Sequence, residues 1–110
     1  MVKQFYWVYI LYCENGHYYT GYTVDLKRRY AYHLIGKGSK YTRSFKPLKI
    51  SQSWKIKGDK LLAMKLEHFI KSLTRPEKEI LILNPKKLIP QYKNYRKNID
   101  ANKNNKSNRP

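Results

Sequence analysis

Residues 5–22 read FYWVYILYCENGHYYTGY, and this segment restricts the fold more than any other stretch of the chain. Phe5 to Tyr12 is rich in aromatic and β-branched residues and has the length of a strand. Glu14-Asn15-Gly16 is a turn signal, and His17 to Tyr22 supplies the returning strand. The loop length decides which side chains meet. A two-residue Asn15-Gly16 turn would set Tyr9 opposite Tyr22 and put Tyr19 on the other face. A three-residue loop changes the parity: Cys13 flanks His17, Leu11 faces Tyr19, and Tyr9 faces Gly21. Both tyrosines then share a face, Gly21 leaves room beside the Tyr9 ring, and Gly16 takes the left-handed position that lacks a Cβ penalty. The three-residue loop is the expected one.

The rest of the chain alternates element types. From Val24 to Ile35 the pattern is helical, with Leu26, Tyr30 and Leu34 at i, i+4 and i+8. With Leu26 at the origin, Tyr30 falls at about 40° and Leu34 at about 80°, while Arg29 falls at about −60° and His33 at about −20°. Arg28 points to about 200°, so the two adjacent arginines are not equivalent: Arg29 belongs at the sheet edge and Arg28 in solvent. Gly36 to Lys40 forms a basic loop without a Walker pattern. Leu48 to Trp54 reads as a third strand whose start is limited by Pro47. Asp59 can cap a helix running to about Leu73, with Leu62, Leu66, Phe69, Ile70 and Leu73 on one face. Thr74-Arg75-Pro76-Glu77 is a capping box for a short helix that ends at Asn84-Pro85. The order is β-β-α-β-α-α, an α+β arrangement in residues 1–85. Residues 86–110 thin in apolar content and become Asn-, Lys- and Arg-rich, so a basic, disordered tail is expected there.

Charge narrows the partners. The chain carries 24 Lys plus Arg against 7 Asp plus Glu, a formal charge of +17. That excess fits a polyanion, DNA first and RNA second, because counterion release rewards many phosphate contacts at once. A charge kept for solubility, or a biased codon composition, is the plainer alternative. The 11 Tyr and 2 Trp add rings on which bases can stack. Cys13 is the only cysteine, which rules out an intramolecular disulfide and a Cys-based zinc site. No apolar run approaches a membrane span or a signal-peptide core, so a cytoplasmic location is expected.

Val8-Tyr9-Ile10 and Tyr19-Thr20-Gly21 resemble the two halves of the GIY-YIG nuclease signature, with the tyrosines about ten residues apart. Tyr19 to His33 (YTGYTVDLKRRYAYH) is similar to the family's tyrosine-x-glycine, arginine and histidine arrangement. Glu67, within AMKLEHFIK, matches its metal-binding glutamate. The resemblance spans about residues 5 to 83. It is nearest to small single-domain bacterial members and to the nuclease domain of structure-specific endonucleases. Trp7 stands where many members have the first glycine, and Thr20 replaces the isoleucine.

The resemblance implies a small antiparallel three-stranded sheet flanked by helices. It also implies a metal-dependent endonuclease that hydrolyses phosphodiester bonds in DNA, or alternatively RNA, using one Mg²⁺ or Mn²⁺. Tyr9 would be the general base, its phenolate favoured by nearby positive charge and metal. Tyr19 would orient water or phosphate, and Arg29 would stabilise the pentacovalent charge. His33 would donate to the phosphate or assist proton movement, with a plain packing histidine as the alternative. Glu67 would hold the metal, although without the resemblance its i, i+4 spacing to Lys71 favours an exposed ion pair. Gly21, Lys37, Lys40 and Tyr41 would contact nucleic acid. Two rivals stand beside this reading: a binding module of the same fold that does not cut, and a basic interaction protein whose tyrosines are core. A small domain with no second reading module implies weak sequence specificity, and a partner protein is unknown.

Overall fold

The apolar run at the start of the chain forms the central strand of a three-stranded antiparallel sheet. The computed structural model describes residues 5–107. Strand β1 (Phe5–Cys13) lies between β2 (Tyr18–Thr23) and β3 (Pro47–Lys57), giving the order β2-β1-β3. Its central position explains its composition. Val8 and Ile10 face one helical layer, Tyr9, Leu11 and Cys13 face the other, and all five are essentially inaccessible. A strand covered on both faces needs no polar alternation.

The hairpin has the expected register. Tyr9 pairs with Gly21 and Leu11 with Tyr19, while Cys13 N–H donates to His17 O at 3.0 Å. Gly16 sits at φ 81°, the left-handed position of a three-residue loop. Tyr9 and Tyr19 therefore share a face.

Helix α1 (Leu26–Leu34) crosses that face, capped by Asp25, whose side chain accepts from Arg28 N–H. Leu26 and Tyr30 pack against Tyr9 and Leu11 as their spacing predicts. The third member of the expected stripe does not: Leu34 is exposed at the helix end, and His33 is the buried residue of α1. A one-turn helix, α2 (Lys40–Ser44), follows where the sequence suggested only a loop, with Ser39 as its cap. Strand β3 runs three residues past Trp54 and begins on Pro47, a position where the missing N–H does little harm.

Helices α3 (Lys60–Ser72) and α4 (Arg75–Leu83) cover the opposite face. Leu66, Phe69 and Ile70 are buried as the periodicity requires, joined by Ala63. The Thr74–Glu77 capping box is formed in both directions. A 3₁₀ turn (Pro85–Lys87) leads into α5 (Leu88–Ser107).

Through residue 107 this last helix stands where a disordered tail was expected from residue 86; the end of that tail, 108–110, lies outside the described residues. Leu88 is fully buried, and the rings of Tyr92 and Tyr95 lie 5.7 and 5.0 Å from that of Phe69. Tertiary burial of these few side chains orders a segment whose composition alone would not. No helix among the described residues is long and apolar enough to cross a membrane.

Candidate functional site

Where β2 forms the sheet edge, a pocket of about 370 Å³ opens between α1 and α3. It is lined by Tyr9, Tyr19, Gly21, Tyr22, Thr23, Arg29 and Glu67. Each side chain arrives by a different local rule. The hairpin register delivers Tyr9, Tyr19 and Gly21. The first turns of α1 deliver Arg29. Glu67 comes from the rim of α3, on the far layer, and reaches the pocket past the edge strand.

The Tyr9 phenol is held on two sides. A Cβ at Gly21 would lie 2.5 Å from its oxygen and 2.7 Å from Cζ, so this glycine is required for space rather than for backbone freedom. Gly21→Ala is expected to cost about 1–3 kcal/mol, as overpacking of a filled site does. Urea unfolding of the two proteins at neutral pH measures it, and an unchanged midpoint would show that the slot can relax.

On its other side the Tyr9 hydroxyl lies 2.8 Å from His33 Nε2. His33 Nδ1 in turn lies 2.7 Å from Thr42 Oγ1, and Thr42 Oγ1 lies 2.9 Å from Ser39 Oγ. Both imidazole nitrogens are thus engaged in an inaccessible place, and no buried side-chain N or O among the described residues lacks a partner. The chain Tyr9–His33–Thr42–Ser39 runs from the pocket wall into the interior beneath α1 and α2.

Burial sets the protonation of this chain. Loss of hydration pushes the Tyr9 phenol up to about 12, although Arg29, by hydrogen bonding and charge, pulls the other way. Desolvation, helped by the Arg29 charge, lowers His33 to about 4. The resting pair at neutral pH is a phenol and a neutral imidazole. Burial thus opposes the Tyr9 phenolate that nearby positive charge and a metal were expected to favour: counting positive charges does not register the cost of dehydrating the anion.

Arg29 and Arg28 differ as the helix rotation requires. Arg29 is half-buried, its Nη2 donates to Gly38 O at 2.8 Å, and its guanidinium lines the pocket beside the Tyr9 hydroxyl. Arg28 is exposed and spends its guanidinium on the Tyr32 hydroxyl, at 3.1 Å from Nε and 2.9 Å from Nη2. Glu67 sits at the pocket with its ion-pair partner beside it. It pairs with Lys71 Nζ at 3.2 Å, and its side chain, 12% exposed, lines the pocket.

The expected contact residues outside the pocket lie on the α1–α2 side of it. Lys37 and Lys40 are exposed near the α1–α2 connection. Tyr41 is tied down: its ring stacks on Tyr19 at 5.6 Å, and its hydroxyl accepts from Asn15 Nδ2 at 2.9 Å. Half-buried, it buttresses the Tyr19 ring. His33, being inaccessible, cannot touch a phosphate directly, so of its expected roles only proton movement or packing survives.

Sequence reasoning missed Gly38, Ser39 and Thr42. A Cβ on Gly38 would fall on the His33 ring, while its carbonyl holds Arg29. The Gly-Lys-Gly segment was readable as flexible and basic, yet its first task is to let α2 close over His33.

A scan against family models matches residues 5–80 to the GIY-YIG catalytic domain. The chain belongs to the GIY-YIG family. This is a nuclease family, and its members work on nucleic acid. Among curated relatives, a UPF0213 protein of Halalkalibacterium halodurans is 45% identical over 76 residues, covering 69% of this chain and 80% of that protein. A UPF0213 protein of Fusobacterium nucleatum is 39% identical over 92 residues, covering 84% of this chain and 91% of that one. The solution NMR structure of a UPF0213 protein from Bacillus halodurans is 43% identical, covers 72% of this chain and 83% of that chain, and has a TM-score of 0.46. The GIY-YIG match takes in every pocket residue and ends before Leu81 and Leu88, so α5 completes the core from outside it.

Proposed function

We propose that this GIY-YIG protein is an endonuclease that hydrolyses phosphodiester bonds, with DNA as first substrate and RNA as second. The observation that carries the reading is one open pocket shared by Tyr9, Tyr19, Arg29 and Glu67, drawn from four separate elements. A core role for the tyrosines would not require a half-buried arginine and a carboxylate to face the same cavity.

The chemistry follows from the groups present. Arg29, braced on Gly38 O, receives the scissile phosphate and opposes the charge that grows on its oxygens. Tyr19, stacked on Tyr41, orients the attacking water. That water loses its proton to Tyr9 Oη as Tyr9 passes its own proton to His33 Nε2, the tautomer being the one with hydrogen on Nδ1 directed at Thr42. A phenol with its pKa near 12 need not ionise beforehand if the two transfers are coupled. Phosphate bound at Arg29 also offsets the charge that lowers His33, which makes the imidazole a better acceptor as substrate arrives.

Glu67 fits a hard ion that keeps most of its waters. It is a single carboxylate, and no cluster of three or more His, Cys, Asp or Glu that could hold a metal exists among the described residues. A Mg²⁺ or Mn²⁺ ion held there would supply positive charge against the leaving oxygen. Lys71, half-exposed and on a flexible stem, can swing away from the carboxylate as an ion arrives.

The test is cleavage of single-stranded, duplex, flap and branched DNA and of RNA with either metal, wild type against a Tyr9→Phe, Arg29→Ala, Glu67→Ala triple variant. Wild type is expected to cut and the triple variant not to. Equal rates with retained binding would instead mark a nucleic-acid-binding module.

A further inference from the structure

A second pocket flanks α1 on the side away from Tyr9's cavity. It is about 430 Å³ in size and is lined by Trp7, Asp25, Leu26, Lys27, Tyr30 and Ile50. Its walls are mainly apolar and aromatic. Trp7 and Tyr30 are half-buried, so part of each ring remains available to a ligand. Its rim is basic: Lys27 is exposed, and Lys55, paired with Trp7 in the sheet, holds its ammonium 4.5 Å from the Phe5 ring and 6.0 Å from that of Trp7. The one carboxylate, Asp25, is already engaged by Arg28 N–H at 3.1 Å as the helix cap.

This pocket is joined to the candidate active site. A shallow cleft of about 240 Å³ over the start of α1 shares Thr23 and Arg29 with the Tyr9 cavity and Asp25 with the Trp7 pocket. The three depressions are thus neighbours around the α1 N-terminus, within reach of one strand lying in the first cavity.

We propose that the Trp7 pocket holds one unpaired nucleobase of the same strand whose phosphate lies against Arg29, with Lys27 and Lys55 on the adjoining phosphates. This deepens the nuclease reading and rests on it for the position of the phosphate. The apolar wall suits the flat, poorly hydrated face of a base, and the aromatic rings supply stacking that tolerates any base. The lysine rim complements the backbone on either side, and the volume lies within the range of ligand-binding clefts. A duplex keeps its bases stacked inside, so the pocket favours single strands, ends and flaps over intact duplex.

Binding, read without metal by fluorescence anisotropy, separates this proposal from the nuclease reading because no cleavage is involved. Wild type, Trp7→Ala and Trp7→Phe would be titrated with a single-stranded DNA oligonucleotide and with the same length of fully abasic strand. Trp7→Ala is expected to weaken binding of the normal strand roughly 10-fold, as loss of one stacked base does. The abasic strand should bind all variants alike, and Trp7→Phe should retain most of the affinity. An equal loss on both strands, or no loss on either, overturns the proposal and leaves the pocket to an apolar side chain of a protein. As a measurement independent of variants, wild type would be photocrosslinked to an oligonucleotide carrying 5-iodouracil and the adducts mapped by mass spectrometry. Adducts at Trp7 or Tyr30 support the proposal, and adducts confined to other surfaces reject it.

Discussion

Arg29→Ala is expected to lower kcat about 10²–10³-fold on any substrate the protein cuts, the scale on which one preorganised donor to a transition-state oxyanion acts. The side chain is fixed before substrate arrives, since Nη2 is bound to Gly38 O, so little ordering remains to be done at the moment of reaction. Arg29→Lys should restore only part of the rate, because an ammonium cannot hold the carbonyl and two phosphate oxygens together. A second readout distinguishes a charge effect from simple damage. Arg29 is one of the causes that lower the His33 pKa, so its removal should raise the imidazole titration followed by NMR. An unchanged rate with a shifted histidine would mean that Arg29 tunes the interior and does not meet the phosphate.

Acid should weaken the fold through His33. In the unfolded chain an imidazole titrates near 6.5, whereas the buried His33 titrates at about 4. Between those values the unfolded chain takes up a proton that the folded chain refuses. The stabilising contribution is therefore complete above about pH 6.5 and is lost as the pH falls toward 4, by up to about 3 kcal/mol. Urea unfolding at closely spaced pH values gives the profile. His33→Asn should be less stable at neutral pH, with two hydrogen bonds disturbed, but should lack this segment of the curve. Parallel profiles for the two proteins would show that His33 can charge without opening the site.

How much of this could be read beforehand depended on how local the cause was. Loop length and glycine conformation set strand parity, so the pairing of Tyr9 with Gly21 followed from a few adjacent residues. A rigid helical rotation separated Arg29 from Arg28 in the same way. The i, i+4 spacing of Glu67 to Lys71 likewise predicted an ion pair, which forms, while its place at the pocket was not legible from the helix alone.

Other features depended on distant parts of the chain. The burial of His33 requires Tyr9, 24 residues away, and Thr42, on a helix of five residues that is too short to show periodicity. The direction of the Tyr9 pKa is a property of its surroundings, which composition does not contain. Order in α5 rests on Leu88 reaching a core built by other elements, and the lysines and asparagines beyond it conceal that.

The three-residue loop at Glu14–Gly16 limits how relatives of this chain can diverge. Its backbone path depends on the left-handed Gly16, and its Asn15 side chain also anchors the Tyr41 hydroxyl. Gain or loss of a single residue is different. It would preserve every side chain of the pocket in the sequence and still turn Tyr19 to the opposite face of the sheet. Natural variation in this hairpin should accept changes of identity at exposed positions such as His17 and resist changes of length by one.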